Sequence, residues 1–417
     1  MALELLAIKF NYNPNSLTDN AMNIRKNATQ FVNVPEWQKG VSVQPEDSPA
    51  AYALKETKGN TLKIQAQFKG TFEDDMNVEI RAIDGYVNPP RSPGCGGFIL
   101  WLVRLIIQAL IGNALGVVKA RTVNIPPGGA PTGFETFELD KVRIWKVGVG
   151  IRTTHWKWQY RLSSGGSWTD FENTKHRIYT VLETPTSPWQ QLPYNSGNTQ
   201  LPWTEAMDYA CQWAFTSIDV DTAATRITEN VFNLGPSVFE YDCPHGGRHF
   251  YAVPAHSPTQ FDCTAFLDKL KGGAGNGKWV NCTDNATFVS VFSNILGCDL
   301  WSSRMGRSLS GAGSSFPLNP LLAIGSNVWQ TACGWSGFNY HEVAWKGACT
   351  SNDNIFDSCL KVDGDADPTS APHTAQLVAN MTFGLSGSGG YRDKLSPVSG
   401  NNTCEPQPGD RIRRTVI

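Results

Sequence analysis

Three stretches of the chain alternate apolar and polar residues with a period of two. Leu62, Ile64, Ala66 and Phe68 alternate with Lys63, Gln65 and Gln67; Met76, Val78 and Ile80 alternate with Asn77, Glu79 and Arg81. Trp156, Trp158, Tyr160 and Leu162 alternate with Lys157, Gln159 and Arg161. Each pattern predicts a strand with one buried face. Further strand-like runs fall near 117–124, 134–151 and 177–183. Short strands separated by turn residues predict a β-sandwich over residues 31–185, preceded by a polar, Asn-rich extension at 1–30.

Residues 186–203 are rich in proline and small polar residues, the composition of a linker. Beyond them the period becomes helical. TEAMDYACQWAFT (204–216) predicts a helix with Thr204 as N-cap. In 222–234, Ala224, Ile227, Val231 and Leu234 share one face, and Gly235 follows as a stop. A third helix is predicted over 263–271 and a fourth from Cys282, where Phe288, Val289, Phe292, Ile295 and Leu296 form an apolar stripe ending at Gly297. Strands return at 339–346 and 355–362. The second half is therefore predicted to be an α+β domain over 204–383, followed by an irregular Gly/Ser-rich tail at 384–417 that ends in the basic run RIRR.

One segment interrupts the strand pattern. FILWLVRLIIQALIGNALGVV, residues 98–118, carries a single charge, Arg104. A bilayer crossing here would separate strands of one sandwich, so the expectation is an insertion within that domain and not a transmembrane span. Burial against its own fold, docking on a membrane surface and contact with a protein partner all remain open for it.

Charge narrows the field. Thirty-five Lys and Arg against 37 Asp and Glu leave a net charge of −2, and no global field points to nucleic acid. The aromatic and basic residues of WKWQYR alternate, which places the aromatics on a core-facing side and not on a nucleic-acid platform. The ten cysteines form no CxxC pair and no short even framework, so mostly reduced thiols are expected. The N-terminus lacks the basic start of a secretory signal. A cytoplasmic location is the default expectation, with export by another route left open.

The chemistry concentrates in GNGKWVNCTDNATFVSVFSNILGCDL, residues 275–300. Cys282 falls at the start of the fourth helix, after a Gly-rich approach. There the helix dipole and unpaired amides favour a thiolate and offer N–H groups to an oxyanion. A nucleophilic cysteine needs a base, and the base needs an orienting group. Downstream, His341 opens the strand-like run HEVAWKG, and Asp357 lies in IFDSCLKV. A hairpin would bring the two together. Trp279 is a candidate site wall or indole donor, or simply a packed core residue.

These residues resemble the transglutaminase-like superfamily, in which a catalytic cysteine starts a core helix, the histidine opens a strand and the aspartate lies on the next strand. CTDNATFVSVFSNILGC is similar to the cysteine helix, HEVAW to the histidine strand and IFDSCL to the aspartate strand. The resemblance covers about residues 200–370 and implies Cys282 as nucleophile, His341 as base and Asp357 as orienting acid. Two departures stand out. Thr283 occupies the place of the tryptophan that follows the cysteine in animal transglutaminases. An Asp-Pro-Thr ending appears late, at Asp367, Pro368 and Thr369, which leaves Asp363 and Asp367 as rivals to Asp357.

Other candidates are weaker. Cys263 also begins a helix but has no suitably spaced histidine. Cys243, His245 and His249 offer three metal ligands without an obvious fourth. Asp363, Asp365 and Asp367 alternate as in a calcium loop, but Pro368 stands where an EF-hand needs glycine. The expectation is thus acyl transfer at an amide through a cysteine thioester, on a protein or peptide substrate, with no cofactor or metal. The alternatives are a binding or assembly protein, and a delivered effector or toxin carrying this domain. Hydrolysis is favoured over cross-linking because water is always available and no amine site is readable.

Overall fold

The computed structural model describes residues 2–13, 15–41, 44–85, 113–162, 164–190, 200–252, 259–311, 315–398 and 403–417. The chain forms two units, one on residues up to Thr184 and one from Pro185 onward.

The first unit is built from β1 (Leu3–Lys9), β2 (Trp37–Gln38), β3 (Ala50–Ala53), β4 (Lys63–Gly70), β5 (Met76–Asp84), β6 (Val117–Ile125), β7 (Glu135–Asp140), β8 (Gly150–Arg161) and β9 (Thr169–Val181). The alternation read from the sequence appears directly in β4, where Ile64, Ala66 and Phe68 are buried and the residues between them are half-buried. Trp156 and Trp158 of β8 point into the same core, and their indole N–H groups donate to Gly116 O (2.9 Å) and Thr174 Oγ1 (3.1 Å), so burial leaves neither donor unpaired.

Two expectations need correction. The unit is one nine-stranded sheet among the described residues, in the order β2-β1-β4-β7-β6-β5-β8-β9-β3, curled about a single core. The reason is β7. Its first four residues pair with β4 and its last two with β6, which joins what would otherwise be two packed sheets. The N-terminal segment is also not an irregular extension throughout, because LELLAIK forms β1 and pairs with β4. Of the apolar run, residues 98–112 lie outside the described residues. Its end is inside them, with Ala114 and Leu115 buried and β6 starting at Val117. Among the described residues, no helix is long and apolar enough to cross a membrane.

The second unit contains α1 (Thr204–Trp213), α2 (Val220–Phe232), α3 (Cys263–Leu270), α4 (Cys282–Asn294) and α5 (Tyr391–Leu395). Thr204 starts α1 but does not cap it, the cap position being Trp203. The sheet beside α4 has the order β10 (Trp301–Gly306), β11 (Tyr340–Trp345), β12 (Asn354–Asp363) and β13 (Leu322–Ala323), with β14 (Ala375–Thr382) on the other edge of β12. β11 and β12 run antiparallel, with Ala344 opposite Phe356 and Trp345 opposite Ile355.

Helix α4 was expected to be amphipathic. Every one of its residues is buried. Its polar side is satisfied by hydrogen bonds instead of water: Ser290 Oγ to Ser302 Oγ (2.9 Å), Thr287 Oγ1 to Thr283 O (2.7 Å), and Asn294 Nδ2 to Leu300 O (2.9 Å). The segment read as a linker also contributes, since Trp189 is buried and donates its indole N–H to Val291 O at 2.9 Å.

The described residues of the tail from 384 are largely irregular, as expected, but integral to this unit. They carry α5, the buried Arg414, and a two-residue strand, Thr415–Val416, paired in parallel with Gln260–Phe261.

Candidate active site

Cys282 is the first residue of α4. Asn281 caps the helix: its Oδ1 accepts the Asp284 amide (3.1 Å), while Asp284 Oδ2 accepts the Asn281 amide (3.2 Å). The cap uses the third amide of the helix and leaves those of Cys282 and Thr283 for another acceptor. Asp284 also accepts the amides of Phe250, Tyr251 and Ala252, tying that segment to the helix start. Burial raises its carboxyl to about 6, against the pull of these amides.

His341 sits second in β11, fully buried, with the ring of Phe338 stacked on it at 5.5 Å between centroids. Its Nε2–H donates to Asp357 Oδ2 at 2.9 Å. A carboxylate only accepts, so whenever the ring is neutral this bond fixes the tautomer with Nδ1 open. Nδ1 has no hydrogen-bond partner, and Cys282 lies near enough to raise the ring's basicity without bonding to it in ordinary geometry. Burial alone would lower the imidazole. Asp357, as charge and as hydrogen-bond acceptor, outweighs burial and together with Cys282 carries it up to about 10.

Asp357 lies at an irregularity in β12. The pairing with β14 jumps from Asp357↔Val378 to Lys361↔Leu377. The displaced backbone turns the amides of Cys359 (2.7 Å) and Leu360 (3.2 Å) onto Asp357 Oδ1. Oδ2 accepts from His341 and from the hydroxyl of Tyr391 in α5 at 2.8 Å. The rivals go elsewhere: Asp363 accepts from His373 Nδ1 (2.7 Å), and Asp367 accepts from its neighbour Thr369. Asp357 is the carboxylate on His341.

Cys282 lines a cavity of about 300 Å³ together with Tyr241, Gly246, Gly247, Trp335 and Tyr340. Gly247 has φ +76°, and a Cβ there would lie 3.1 Å from the Trp335 ring, so this wall needs glycine. Asn281 Nδ2 holds the same wall through Gly247 O at 2.7 Å. The phenols of Tyr340 and Tyr241 both neighbour Cys282. Burial first, and then Cys282, raise Tyr340 to about 12, and the same two influences push Tyr241 up. Both keep their protons at neutral pH and remain donors.

Sequence reasoning missed Tyr241, Tyr340 and Tyr391; Tyr340 stands directly before His341, while Tyr241 and Tyr391 come from segments without a local signature. Trp279 lies not on this cavity but on its neighbour, its ring 6.1 Å from that of His245. Cys243 is bonded to Cys333, one disulfide beside seven free cysteines among the described residues, and the bond removes Cys243 as a metal ligand beside His245 and His249. His245 Nδ1 is held by Asp242 at 2.7 Å. Cys263 has no exposed surface, and burial pushes its thiol well up.

No protein-family model and no curated protein matches the chain. Among solved structures the chain is similar to the red sea bream transglutaminase, with a TM-score of 0.34 and 12% identity over 77% of this chain. The chain spans 50% of that enzyme's length. The likeness is distant, concerns the fold alone, and carries no weight for function.

Proposed function

We propose that this chain is a transglutaminase-like cysteine enzyme acting on an amide of a protein or peptide. The observation that carries the reading is the 2.9 Å bond from His341 to Asp357, buried next to Cys282 at a helix start that lines a cavity. In the first step the Cys282 sulfur, its proton already held on His341 Nδ1, bonds to the amide carbon, whose oxygen becomes an oxyanion. The amides of Cys282 and Thr283 and the phenols of Tyr241 and Tyr340 are the donors available to it. The intermediate then collapses, the C–N bond breaks, and His341 gives its proton to the leaving nitrogen. Having given up its proton, and with the free sulfur no longer supporting the imidazolium, His341 stays neutral and can take a proton from the water or amine that resolves the thioester. Water is the favoured acceptor. The first unit would bind substrate or partner. No cofactor is needed for these steps.

The test is incubation with a peptide library followed by mass spectrometry, with Cys282→Ala as control. Peptide cleavage, conversion of an amide to an acid, or cross-linking with loss of ammonia would each support acyl transfer and name its type. A folded protein that gives no product and no acyl adduct on Cys282 would overturn it.

A further inference from the structure

Beside the Cys282 cavity lies a second one of about 360 Å³. Its lining includes Trp279, Leu321, Ile324, Val328 and Ala332, and it holds no free thiol and no histidine. Its one carboxylate, Glu240, is paired with Lys278 at 2.9 Å. Ser326, Asn327 and Gln330 add polar groups to the lining, but no histidine lines it to activate the Ser326 hydroxyl, so the cavity binds without reacting and its larger apolar share favours an apolar side chain.

The two cavities share a wall. Tyr241 lines both. Its ring meets Trp335 edge-on at 6.2 Å, and Trp335 faces the Cys282 side. The Cys243–Cys333 bond joins the segment that carries Gly246 and Gly247 to the segment that carries Trp335. One cross-link thus fixes the divider from both sides. At the rim of the second cavity Val328 is 54% exposed, an apolar side chain facing solvent at the entrance.

We infer that the second cavity is a specificity site for an apolar side chain of the substrate, close in sequence to the residue whose amide reaches Cys282. This rests on the reading of Cys282 as nucleophile. A peptide lying over Tyr241 would place its reacting side chain on one side of the divider and its apolar neighbour on the other. Trp279, whose role near the nucleophile was open from sequence, is then a wall of this second site and not an oxyanion donor.

The experiment compares kcat/KM for peptides that differ only in a Leu, Phe or Asp walked along the positions flanking the reacting residue. The wild type should prefer Leu or Phe over Asp by about tenfold or more at one position, because an apolar pocket accepts a charge poorly. Val328→Asp at the rim and Trp279→Ala in the wall should each reduce that ratio at the same position. A flat profile, or a preference that neither variant changes, would overturn the inference. A small activated ester without flanking side chains separates the two readings. Acylation of Cys282 by the ester with a flat peptide profile removes only the second site; failure of the ester to acylate Cys282 removes the nucleophile on which it rests.

Discussion

Thr283 Oγ1 donates to Glu342 Oε2 at 3.0 Å, so the residue after the nucleophile is bonded to the residue after the base. Both side chains are buried. Arg414 completes the link, donating to Glu342 Oε1 at 2.7 Å and to Thr287 Oγ1 at 2.9 Å. Burial would raise Glu342, but Arg414 holds it below its ordinary value. The register between α4 and β11 is thus set one residue away from the chemistry, by a charge supplied from the last residues of the chain.

This link predicts a separation between stability and turnover. Thr283→Val keeps the shape, leaves the Glu342–Arg414 pair intact, and should cost about 1 kcal/mol. It should lower kcat about tenfold with KM little changed, because it misplaces sulfur against imidazole rather than weakening binding. Glu342→Gln strands a buried guanidinium and should cost about 3–5 kcal/mol. Denaturation and steady-state kinetics read both. An unchanged kcat in Thr283→Val would reduce the link to a structural one.

Thiol labelling gives the simplest check on the nucleophile. Cys282 lines a cavity, whereas Cys263 and Cys359 have no exposed surface and burial pushes both thiols well up. Iodoacetamide at about pH 6 should modify Cys282 first. Mapping the adduct by mass spectrometry decides it, and earlier reaction at Cys263 or Cys359 would remove the assignment.

Asp357→Asn tests the tautomer. The amides of Cys359 and Leu360 require an oxygen at the Oδ1 position. The new NH2 must then face His341 Nε2, which forces the proton onto Nδ1 and leaves no acceptor for the thiol. The expected loss in kcat is on the order of 10³-fold or more with the fold retained. Tyr391→Phe removes one donor to the same carboxylate and should cost about tenfold. Near-parental turnover in Asp357→Asn would show that the carboxylate does not set the tautomer.

The parts of the site legible in the sequence are those whose signal is local. The start of α4 at Cys282 follows from a glycine-rich approach and an apolar stripe, and the His341–Asp357 pairing follows from two strand-like runs joined by a turn. What the sequence hid is long-range. Tyr391 and Arg414 reach the site from a tail whose Gly/Ser content suggested irregularity, because composition reports backbone freedom and not tertiary contacts. The apolar stripe of α4 leaves its polar side unassigned, since periodicity cannot distinguish water from buried hydrogen-bond partners. β1 lacks a clean alternation, because Leu5, Leu6, Ala7 and Ile8 form one short apolar run beside an Asn-rich stretch. The curled sheet depends on β7 changing partners midway, which no pattern of burial along one strand reveals.

The last prediction concerns pH. In the folded protein His341 rises from 6.5 to about 10, with Asp357 and Cys282 outweighing burial. A group whose pKa is raised on folding binds its proton more tightly in the native state. Its stabilisation is complete below pH 6.5, declines as pH rises, and is gone above about 10. The slope contributed by one such proton is at most about 1.4 kcal/mol per pH unit. His341→Gln also loses packing against Phe338, but that loss does not depend on pH. The stability difference between parent and variant in urea should therefore shrink from pH 6.5 towards 10 and then level off. Because Cys282 is among the groups that raise His341, Cys282→Ala should move the upper edge of this window to lower pH, and acylation of the sulfur should do the same. A difference that stays constant across the range would mean that the native site does not hold the extra proton, and the imidazolium would no longer be available to protonate the leaving nitrogen.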